Sequence, residues 1–235
     1  MQATLNRRFT KGFQYGIAYT YAKSMDYGSD ERVGGTPQYL DIRRVYGKSS
    51  FDQTHILVAN WQYDVPSSKS KNIVGTVTRG WAISGVASFS SGTPSAIGLI
   101  FLDGTDLLGG GDAGRVNLSC NPNLGHFDKT SARFFDTSCV SIPGKGDIGN
   151  APKDAVRGPG RSNLDTTLFR NFNIGSEKRV LTFRWEVYNT FNHTQFNAID
   201  TNATVIAGKN TSTTFGSATG AWAARQMQFS LRFTF

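Results

Sequence analysis

The last ten residues of the chain alternate strictly between polar and apolar side chains. The apolar side chains occupy every odd position up to the carboxyl terminus: Met227, Phe229, Leu231, Phe233 and Phe235. Because successive side chains of a β-strand point to opposite faces, the pattern predicts an extended strand with one apolar and one polar face. In water, such a strand at the edge of a sheet would expose an apolar surface that promotes aggregation. The pattern therefore favours a surrounding in which one face of the sheet meets lipid.

The overall composition also favours a membrane β-barrel over a helical protein. Hydrophobic residues make up only 38% of the 235 residues, and 26 glycines suit many short strands joined by polar loops. The longest apolar run, residues 96–102, is far shorter than the roughly 18 residues that a membrane helix needs. Barrel strands need only about 9–11 residues, half of them polar. An amphipathic last strand ending in Phe is typical of bacterial outer-membrane barrels.

The formal net charge of +8 does not indicate nucleic-acid binding. A nucleic-acid interface requires Lys and Arg clustered on one element, with aromatic residues between them. Here the basic residues are scattered, and the small groups stand at predicted turns: Arg7, Arg8 and Lys11; Lys69 and Lys71; Lys178 and Arg179. We therefore interpret the charge as a basic solvated surface and expect no nucleic-acid partner.

Alternation of the same kind recurs along the chain and predicts seven strands. They cover residues 5–9, Phe13–Tyr21, 55–65, 81–89, 163–174, 181–187 and 226–235. One residue breaks the pattern, because Arg170 falls on the apolar face of its strand. An arginine facing lipid at the membrane midplane costs roughly 2–4 kcal/mol. We expect Arg170 either to lie near a membrane interface or to follow a bulge that shifts the alternation.

The connections between the predicted strands alternate in length. Residues 9–12, 66–79 and 175–179 form short or moderate turns, whereas residues 23–54, 93–162 and 192–223 form long loops. Outer-membrane barrels have short turns on the periplasmic rim and long loops on the outer rim. We therefore predict an all-β fold: an antiparallel transmembrane β-barrel segment with long extracellular loops. We expect it in the outer membrane of a Gram-negative bacterium, with its carboxyl terminus in the periplasm.

Seven strands are too few for a closed barrel of this kind. Bacterial single-chain barrels have an even number of strands, and at least eight. We therefore interpret residues 1–235 as the carboxy-terminal part of a larger barrel, and we predict that residues 1–9 do not pair with residues 225–235. Residues 1–8 lack the apolar segment of a secretory signal, which fits a cytosolic protein or a piece of a longer chain. The strand pattern favours the piece.

Four charged residues fall on the predicted lumen face of three strands: Asp165, Arg184, Glu186 and Arg232. Charges on this face avoid lipid and can pair across strands. We expect them to line the lumen and to contact a plug, and a place on a substrate path is the second interpretation.

Two cysteines, Cys120 and Cys139, share one loop-like stretch. They form a candidate disulfide, which an oxidising compartment would favour, and two unrelated thiols are the alternative. In the same loop we expect the aromatic residues to pack within the loop rather than to stack on a ligand: Phe101, Phe127, Phe134 and Phe135.

The sequence shows no pattern that indicates catalysis or a cofactor. The histidines are far apart and lack metal-ligand spacing: His55, His126 and His193. A glycine-rich stretch with Asp103, Asp106 and Asp112 matches neither a calcium loop nor a phosphate loop, so we interpret it as a solvated loop. Hydrolase and metalloprotease motifs are also missing. We therefore expect a protein that is not an enzyme and that binds no metal or other cofactor.

Several short motifs resemble the TonB-dependent receptor family. They read FDQTH (51–55), GWAISG (80–85), FSSGTP (89–94), RGPG (157–160), NLD (163–165), LFRNF (168–172) and EVYNTFNH (186–193). Their order and spacing are similar to those of the Oar-like branch, in which a carboxypeptidase-regulatory-like domain precedes the plug and the barrel. The resemblance covers nearly the whole chain and is most specific over residues 51–94 and 157–235.

The resemblance implies a 22-stranded barrel filled by an amino-terminal plug on which energised TonB pulls during uptake. The sequence contains neither the plug nor the short box that TonB recognises, so uptake of a substrate belongs to a full-length protein. The implied partners are outer-membrane lipid and lipopolysaccharide, the barrel assembly machinery, and TonB through the plug. Two alternatives remain: a barrel-anchored adhesin or scaffold without transport, and a soluble β-rich carbohydrate-binding or hydrolytic domain.

Overall fold

Seven antiparallel strands form the main sheet of the protein. A computed structural model describes residues 1–29, 45–66, 79–109, 114–124, 129–175 and 179–235. The strands are β1 (Gln2–Thr10), β2 (Phe13–Tyr21), β3 (His55–Asp64), β4 (Trp81–Ser90), β5 (Arg161–Asn173), β6 (Val180–Tyr188) and β7 (Gln226–Thr234). Each strand pairs antiparallel with the next one in the chain. The seven predicted strands are confirmed, and β1 begins earlier than the alternation predicts.

The strand register joins the apolar side chains of neighbouring strands into one face. One row of paired residues crosses the sheet from β7 to β2: Phe229, Trp185, Leu168, Ile83, Tyr63 and Phe13. Because side chains alternate along each strand, the residues directly before and after each member of this row lie on the opposite face. That face is largely polar in β5, β6 and β7. The two faces predicted from single strands are therefore continuous across the sheet.

Arg170 lies on the apolar face, and no bulge precedes it. The pairing of β5 with both neighbours has no register shift and places Arg170 opposite Trp81 and Phe183. Trp81 is the first residue of β4, so Arg170 lies near one end of the sheet. Its guanidinium carbon is 5.8 Å from the ring centroid of Trp81 and 4.3 Å from that of Phe172. Of the two expectations for Arg170, the bulge is wrong; a position near the rim, beside aromatic rings, accommodates the charge.

The connections alternate in length as predicted. Residues 11–12, 65–80 and 174–179 join strands at one end of the sheet, which we call the turn rim. Residues 22–54, 91–160 and 189–225 join strands at the other end, which we call the loop rim. Thr234 pairs with Val180, so β7 ends at the turn rim. The basic residues predicted for two turns, Lys69, Lys71 and Lys178, lie outside the described residues.

The described residues of the three long connections fold into a cap with short strands of its own. Gly98–Phe101 pairs in parallel with Asn202–Ile206 and so joins the second connection to the third. The other pairs of short strands are Met25–Asp26 with Gly47–Lys48, Pro94–Ser95 with Val156–Arg157, Asn117–Leu118 with Val140–Ser141, Phe196–Ile199 with Ala218–Ala221, and Lys209–Asn210 with Asn202–Ile206. A 3-10 turn covers Thr137–Cys139.

The hydrophobic core of the described residues lies in the cap and not against the sheet. Val116, Ala203 and Val205 are inaccessible to solvent, and Phe135 is nearly so. These residues come from the second and third long connections, which therefore fold as one unit. By contrast, β1 and β7 are exposed along their whole length, and the apolar side chains of β7 lie on the surface.

The main sheet is open in the part of the chain that is described. β1 and β7 lie at its opposite ends and do not pair with each other, as predicted for residues 1–9 and 225–235. Over the described ranges, no helix is long and apolar enough to cross a membrane.

Candidate functional site

Three of the four charged residues predicted for the lumen, Asp165, Arg184 and Glu186, form hydrogen bonds or ion pairs on the polar face. Arg184 donates to Glu186 within β6, with 2.9 Å between Nη2 and Oε1. The other carboxylate oxygen of Glu186 accepts a hydrogen bond from the Gln228 amide of β7. Arg232 lies on the same face, opposite Thr182. The hydrogen bond between Glu186 and Gln228 joins β6 to β7, whereas Asp165 lies nearer the loop rim.

Asp165 organises a chain of amide groups where β5 meets the cap. Its Oδ1 atom accepts hydrogen bonds from the side chain of Asn163 and from the backbone N–H of Asn189, both at 2.9 Å. Asn163 accepts in turn from the side-chain amide of Gln195 at 3.0 Å. Asn189 has a φ of 52°, in the left-handed region that Asn tolerates better than most residues. Asp165 therefore fixes the NLD and EVYNTFNH motifs to each other.

Three of the other motifs meet at the loop rim. Arg157 of RGPG donates to Asp52 of FDQTH, with 2.9 Å between Nη2 and Oδ2. Arg157 also donates to the carbonyl oxygen of Gly92 in FSSGTP and to the hydroxyl group of Thr54. A Cβ atom on Gly92 would lie 2.0 Å from the carbonyl oxygen of Gly158, so no larger residue fits there. We call these contacts the rim clasp.

Asp52 is ionised at neutral pH although its side chain is inaccessible to solvent. Burial opposes the charge, but the backbone N–H of Ser24, the guanidinium of Arg157 and the hydroxyl of Thr54 stabilise it. Together these donors hold the pKa of Asp52 below its ordinary value. The N–H of Ser24 is 2.9 Å from Oδ1 within the first long connection, and Arg157 joins the second connection to this pair.

A second ion pair joins the same two connections. The amino group of Lys153 binds the carboxylate of Asp26 and lies 2.8 Å from its backbone carbonyl oxygen. This contact holds the pKa of Asp26 below its ordinary value. The neighbouring Asp154 accepts from the backbone N–H of Lys48 at 3.2 Å. The cap is therefore tied together by buried and half-buried charge pairs as well as by its apolar core.

Cys120 and Cys139 form a disulfide, with their Cα atoms 5.2 Å apart. Cys139 is buried, and its carbonyl oxygen accepts from the backbone N–H of Ser119 at 3.0 Å. The bond links two stretches of the second connection beside the short pair of Asn117–Leu118 and Val140–Ser141.

The loop aromatics pack largely within the cap, as expected. Phe135 and Phe134 are buried, and Phe101 contacts the cap core. Phe127 lies outside the described residues. The aspartate-rich stretch is exposed at Asp103 and Asp106, as predicted for a solvated loop, but Leu107 within it is buried in the cap core. Asp103 accepts from the backbone N–H of Ala207 at 2.8 Å and so anchors that stretch to the third connection.

The two histidines within the described ranges, His55 and His193, do not come together. His55 contacts Tyr19, whose hydroxyl group is 2.8 Å from Nδ1, and the backbone carbonyl of His193 accepts from Asn189. His126 and Asp112 lie outside the described residues. The described ranges contain no cluster of His, Cys, Asp and Glu side chains that could hold a metal ion.

Two adjoining cavities near the loop rim were not predicted from the sequence. One has a volume of about 470 Å³ and lies between strand residues such as Ser88 and cap residues such as Asn197. The other, of about 220 Å³, includes the Asp165 amide chain. Both are lined by Arg161 and Trp222. We call them together the rim pocket. The only signal for it in the sequence is a lone Trp among small residues at 218–224.

Comparison with known proteins decides the family. A family model described as an outer membrane beta barrel domain matches residues 1–228. The chain belongs to this family. No significant match was found among curated proteins or among solved structures. The prediction of an antiparallel outer-membrane β-barrel fold is therefore confirmed, and the outer membrane is where such a domain is located.

Family membership explains why the seven-stranded sheet has one apolar and one polar face. In an outer-membrane β-barrel domain, strands are apolar on one side and polar on the other, which is the division that the register shows here. The exposed apolar side chains of β7 belong to this pattern: Met227, Phe229, Leu231, Phe233 and Phe235. Within that row, the ring of Phe229 stacks on Trp185, with 5.9 Å between the centroids.

Proposed function

We propose that the protein is the carboxy-terminal barrel part of a TonB-dependent outer-membrane transporter of the Oar-like branch. In this proposal the full-length protein takes up a substrate across the outer membrane. The observation that carries the proposal is the convergence of the motifs that resemble this branch. FDQTH, FSSGTP and RGPG meet in the rim clasp, and NLD meets EVYNTFNH through Asp165. These contacts support the proposal, because motifs that are distant in sequence but touch one another belong to one structural unit rather than to scattered segments.

The polar face would line the lumen in this function. Arg184, Glu186 and Gln228 bond to one another, so they present a neutralised surface that a plug can contact without leaving a lone charge buried. The cap would stand over the outer mouth and meet the substrate first. Its ion pairs and disulfide would keep the mouth in shape while the plug moves.

The same proposal fixes the partners and the orientation. The apolar face would contact outer-membrane lipid, and lipopolysaccharide would surround the loop rim. The carboxyl terminus would lie in the periplasm, where the exposed aromatic end at Phe235 would engage the barrel assembly machinery. TonB would act through a plug outside this chain. The protein would need no cofactor and would catalyse no reaction.

The assignment of the two faces can be tested with one matched pair of variants. Leu231 and Ser230 are neighbours in β7 and point to opposite faces. We expect Leu231→Arg to destabilise insertion by roughly 2–4 kcal/mol if Leu231 is near the midplane, and Ser230→Arg to be tolerated. The folded fraction in outer-membrane preparations is the readout. Equal tolerance of both variants would contradict a lipid-facing apolar face.

Orientation can be tested with an epitope inserted after Gly144. A Cβ atom at this position would meet nothing within 4 Å, so an insertion there leaves the cap core undisturbed. We expect antibody to label the epitope on intact cells. A control epitope after Gly175, which lies at the turn rim with open space around its Cβ position, should be labelled only after the outer membrane is permeabilised. The reverse pattern would overturn the proposed orientation.

Transport can be separated from adhesion with the full-length gene product. Uptake by a transporter of this class should stop when TonB is deleted or the proton-motive force is dissipated, while the amount of protein in the outer membrane stays the same. Surface attachment that persists in the TonB deletion, without any uptake, would favour a barrel-anchored adhesin or scaffold.

A further inference from the structure

The rim pocket has the chemistry of a site for an uncharged, polyhydroxylated ligand. We propose that it binds a neutral oligosaccharide on the polar face just below the cap. This inference deepens the proposed function, because it names the class of substrate that the outer mouth would capture. It is argued from the pocket's charge, its aromatic wall and the fixed orientation of its amides.

The pocket carries no net charge, which favours an uncharged ligand. Its lining contains one cation, Arg161, and one anion, Asp165, and the other side chains are neutral. The neutral part is rich in amides and hydroxyl groups, among them those of Ser88, Asn163, Asn189, Gln195 and Asn197. A ligand with many hydroxyl groups can donate to and accept from such side chains without any net charge.

Asp165 determines which way the amides of the smaller cavity point. An ionised carboxylate can only accept hydrogen bonds, so Asn163 must turn its NH₂ group toward Asp165. The oxygen of Asn163 then faces Gln195, which must present its own NH₂ group. The amide orientation of Gln195 therefore follows from the charge of Asp165. Its Oε1 atom is left pointing away from this chain of hydrogen bonds.

The wall of the smaller cavity consequently contains two acceptors without a donor. Gln195 Oε1 and Asn189 Oδ1 are buried and accept no hydrogen bond from any described residue. Asn189 uses its NH₂ group on the carbonyl oxygens of His193 and Ala223, which fixes its amide in the same way. Both residues are more than nine-tenths buried. Because both atoms are inaccessible to solvent, a hydroxyl group of a ligand would supply the missing donor once the side chain of Gln195 or Asn189 turns toward the cavity.

Trp222 gives the pocket an aromatic surface that both cavities share. The guanidinium of Arg161 lies 4.9 Å from the ring centroid of Trp222 and holds the indole in place. Half of the Trp222 surface is still exposed. The apolar C–H face of a sugar ring packs on such a surface while the hydroxyl groups at its edge reach the amides. Two cavities on a common Trp suit a ligand of more than one sugar unit.

The test uses the protein extracted from the outer membrane in mild detergent, titrated by calorimetry with maltotriose, cellotriose and triacetylchitotriose. We expect at least one of these probes to bind, and Trp222→Ala to weaken that binding about tenfold. Trp222→Phe should restore part of it. Arg133→Gln, which changes an exposed cap residue outside the pocket, should leave it unchanged. Heat-modifiable migration in gels checks that each variant is folded.

Three outcomes would overturn the proposal: no trisaccharide binds at millimolar concentration, binding is the same in Trp222→Ala, or a neutral tripeptide binds and the sugars do not. The last result would assign the pocket to a segment of the plug. These results do not depend on TonB. If a sugar binds but no TonB-dependent uptake is seen in cells, the pocket assignment stands and the transport proposal is refuted. If uptake depends on TonB but no sugar binds, only the pocket assignment is refuted.

Discussion

We expect a large loss of cap stability when the one cation of the rim clasp is removed. Arg157→Gln removes the guanidinium that faces Asp52, whose side chain is inaccessible to solvent. Removing one partner of a buried pair typically costs about 3–5 kcal/mol. Arg157 is 24% exposed, and Asp52 keeps the donors of Ser24 and Thr54. We therefore expect about 2–3 kcal/mol, close to the value of one or two charge-assisted hydrogen bonds.

Hydrogen exchange followed by mass spectrometry measures this effect where it arises. A local loss of 2–3 kcal/mol raises the opening equilibrium roughly 30- to 150-fold. The faster exchange should be confined to peptides around Ser24, Asp52 and Gly158, whose backbone N–H groups bond within or beside the clasp. Peptides of β6 and β7 should exchange as in the wild type, because the clasp does not touch these strands.

The matched control is Arg133→Gln in the same cap. Arg133 lies 3.7 Å from Asp136 and is 53% exposed, so this pair should contribute less than about 0.5 kcal/mol. Equal exchange in the two variants, or faster exchange spread evenly over the cap, would refute the idea that burial makes the clasp strong. A double variant, Asp52→Asn with Arg157→Gln, should be less destabilised than the sum of the single changes, because no unpaired charge remains.

Three further predictions concern the cap. Gly92→Ala should destabilise it by about 1–3 kcal/mol in thermal unfolding, whereas Gly144→Ala, with open space around its Cβ, should be neutral. Replacing both Cys120 and Cys139 by Ser should cost about 3 kcal/mol, measured as faster protease cleavage of the second connection under conditions that leave the sheet intact. Because the pKa of Asp52 is lower in the folded than in the unfolded protein, its contribution is complete above the unfolded value of about 3.9 and is lost as the pH falls through the lower folded value. Cap stability should therefore decline only below about pH 4, and a decline that begins near pH 6 would contradict this assignment.

The strands could be predicted from sequence because their signal is local. Alternation between Gln226 and Phe235, or between Phe13 and Tyr21, depends only on which face each residue occupies. The strand register then places the apolar residues of the neighbouring strand on the same face of the sheet. Arg170 shows the limit of this reasoning, since its environment depends on Trp81 and Phe183 in other strands.

The cap and the rim pocket could not be predicted in the same way. The short strands of the cap are mostly two to five residues long, too short to show a period. Its core brings Leu99 against Ala203 and Val205, which are about a hundred positions away in the chain. Asp165 was predicted to lie on the polar face. Its actual partners are the neighbouring Asn163 and the backbone of Asn189, and the relay to Gln195 forms only when the third connection folds back over β5.

The open edges of the sheet limit what can complete it. β1 begins opposite Thr20 and ends near Phe13, so it runs from the loop rim to the turn rim, and β7 runs in the same direction. A seam between them would be parallel, and so would a seam between β7 of one copy and β1 of another inserted the same way. A closed ring in which all neighbouring strands are antiparallel therefore requires an odd number of further strands. The first and the last of these strands would run from the turn rim to the loop rim. These seven strands therefore specify the direction and the odd number of any strands that would close such a ring.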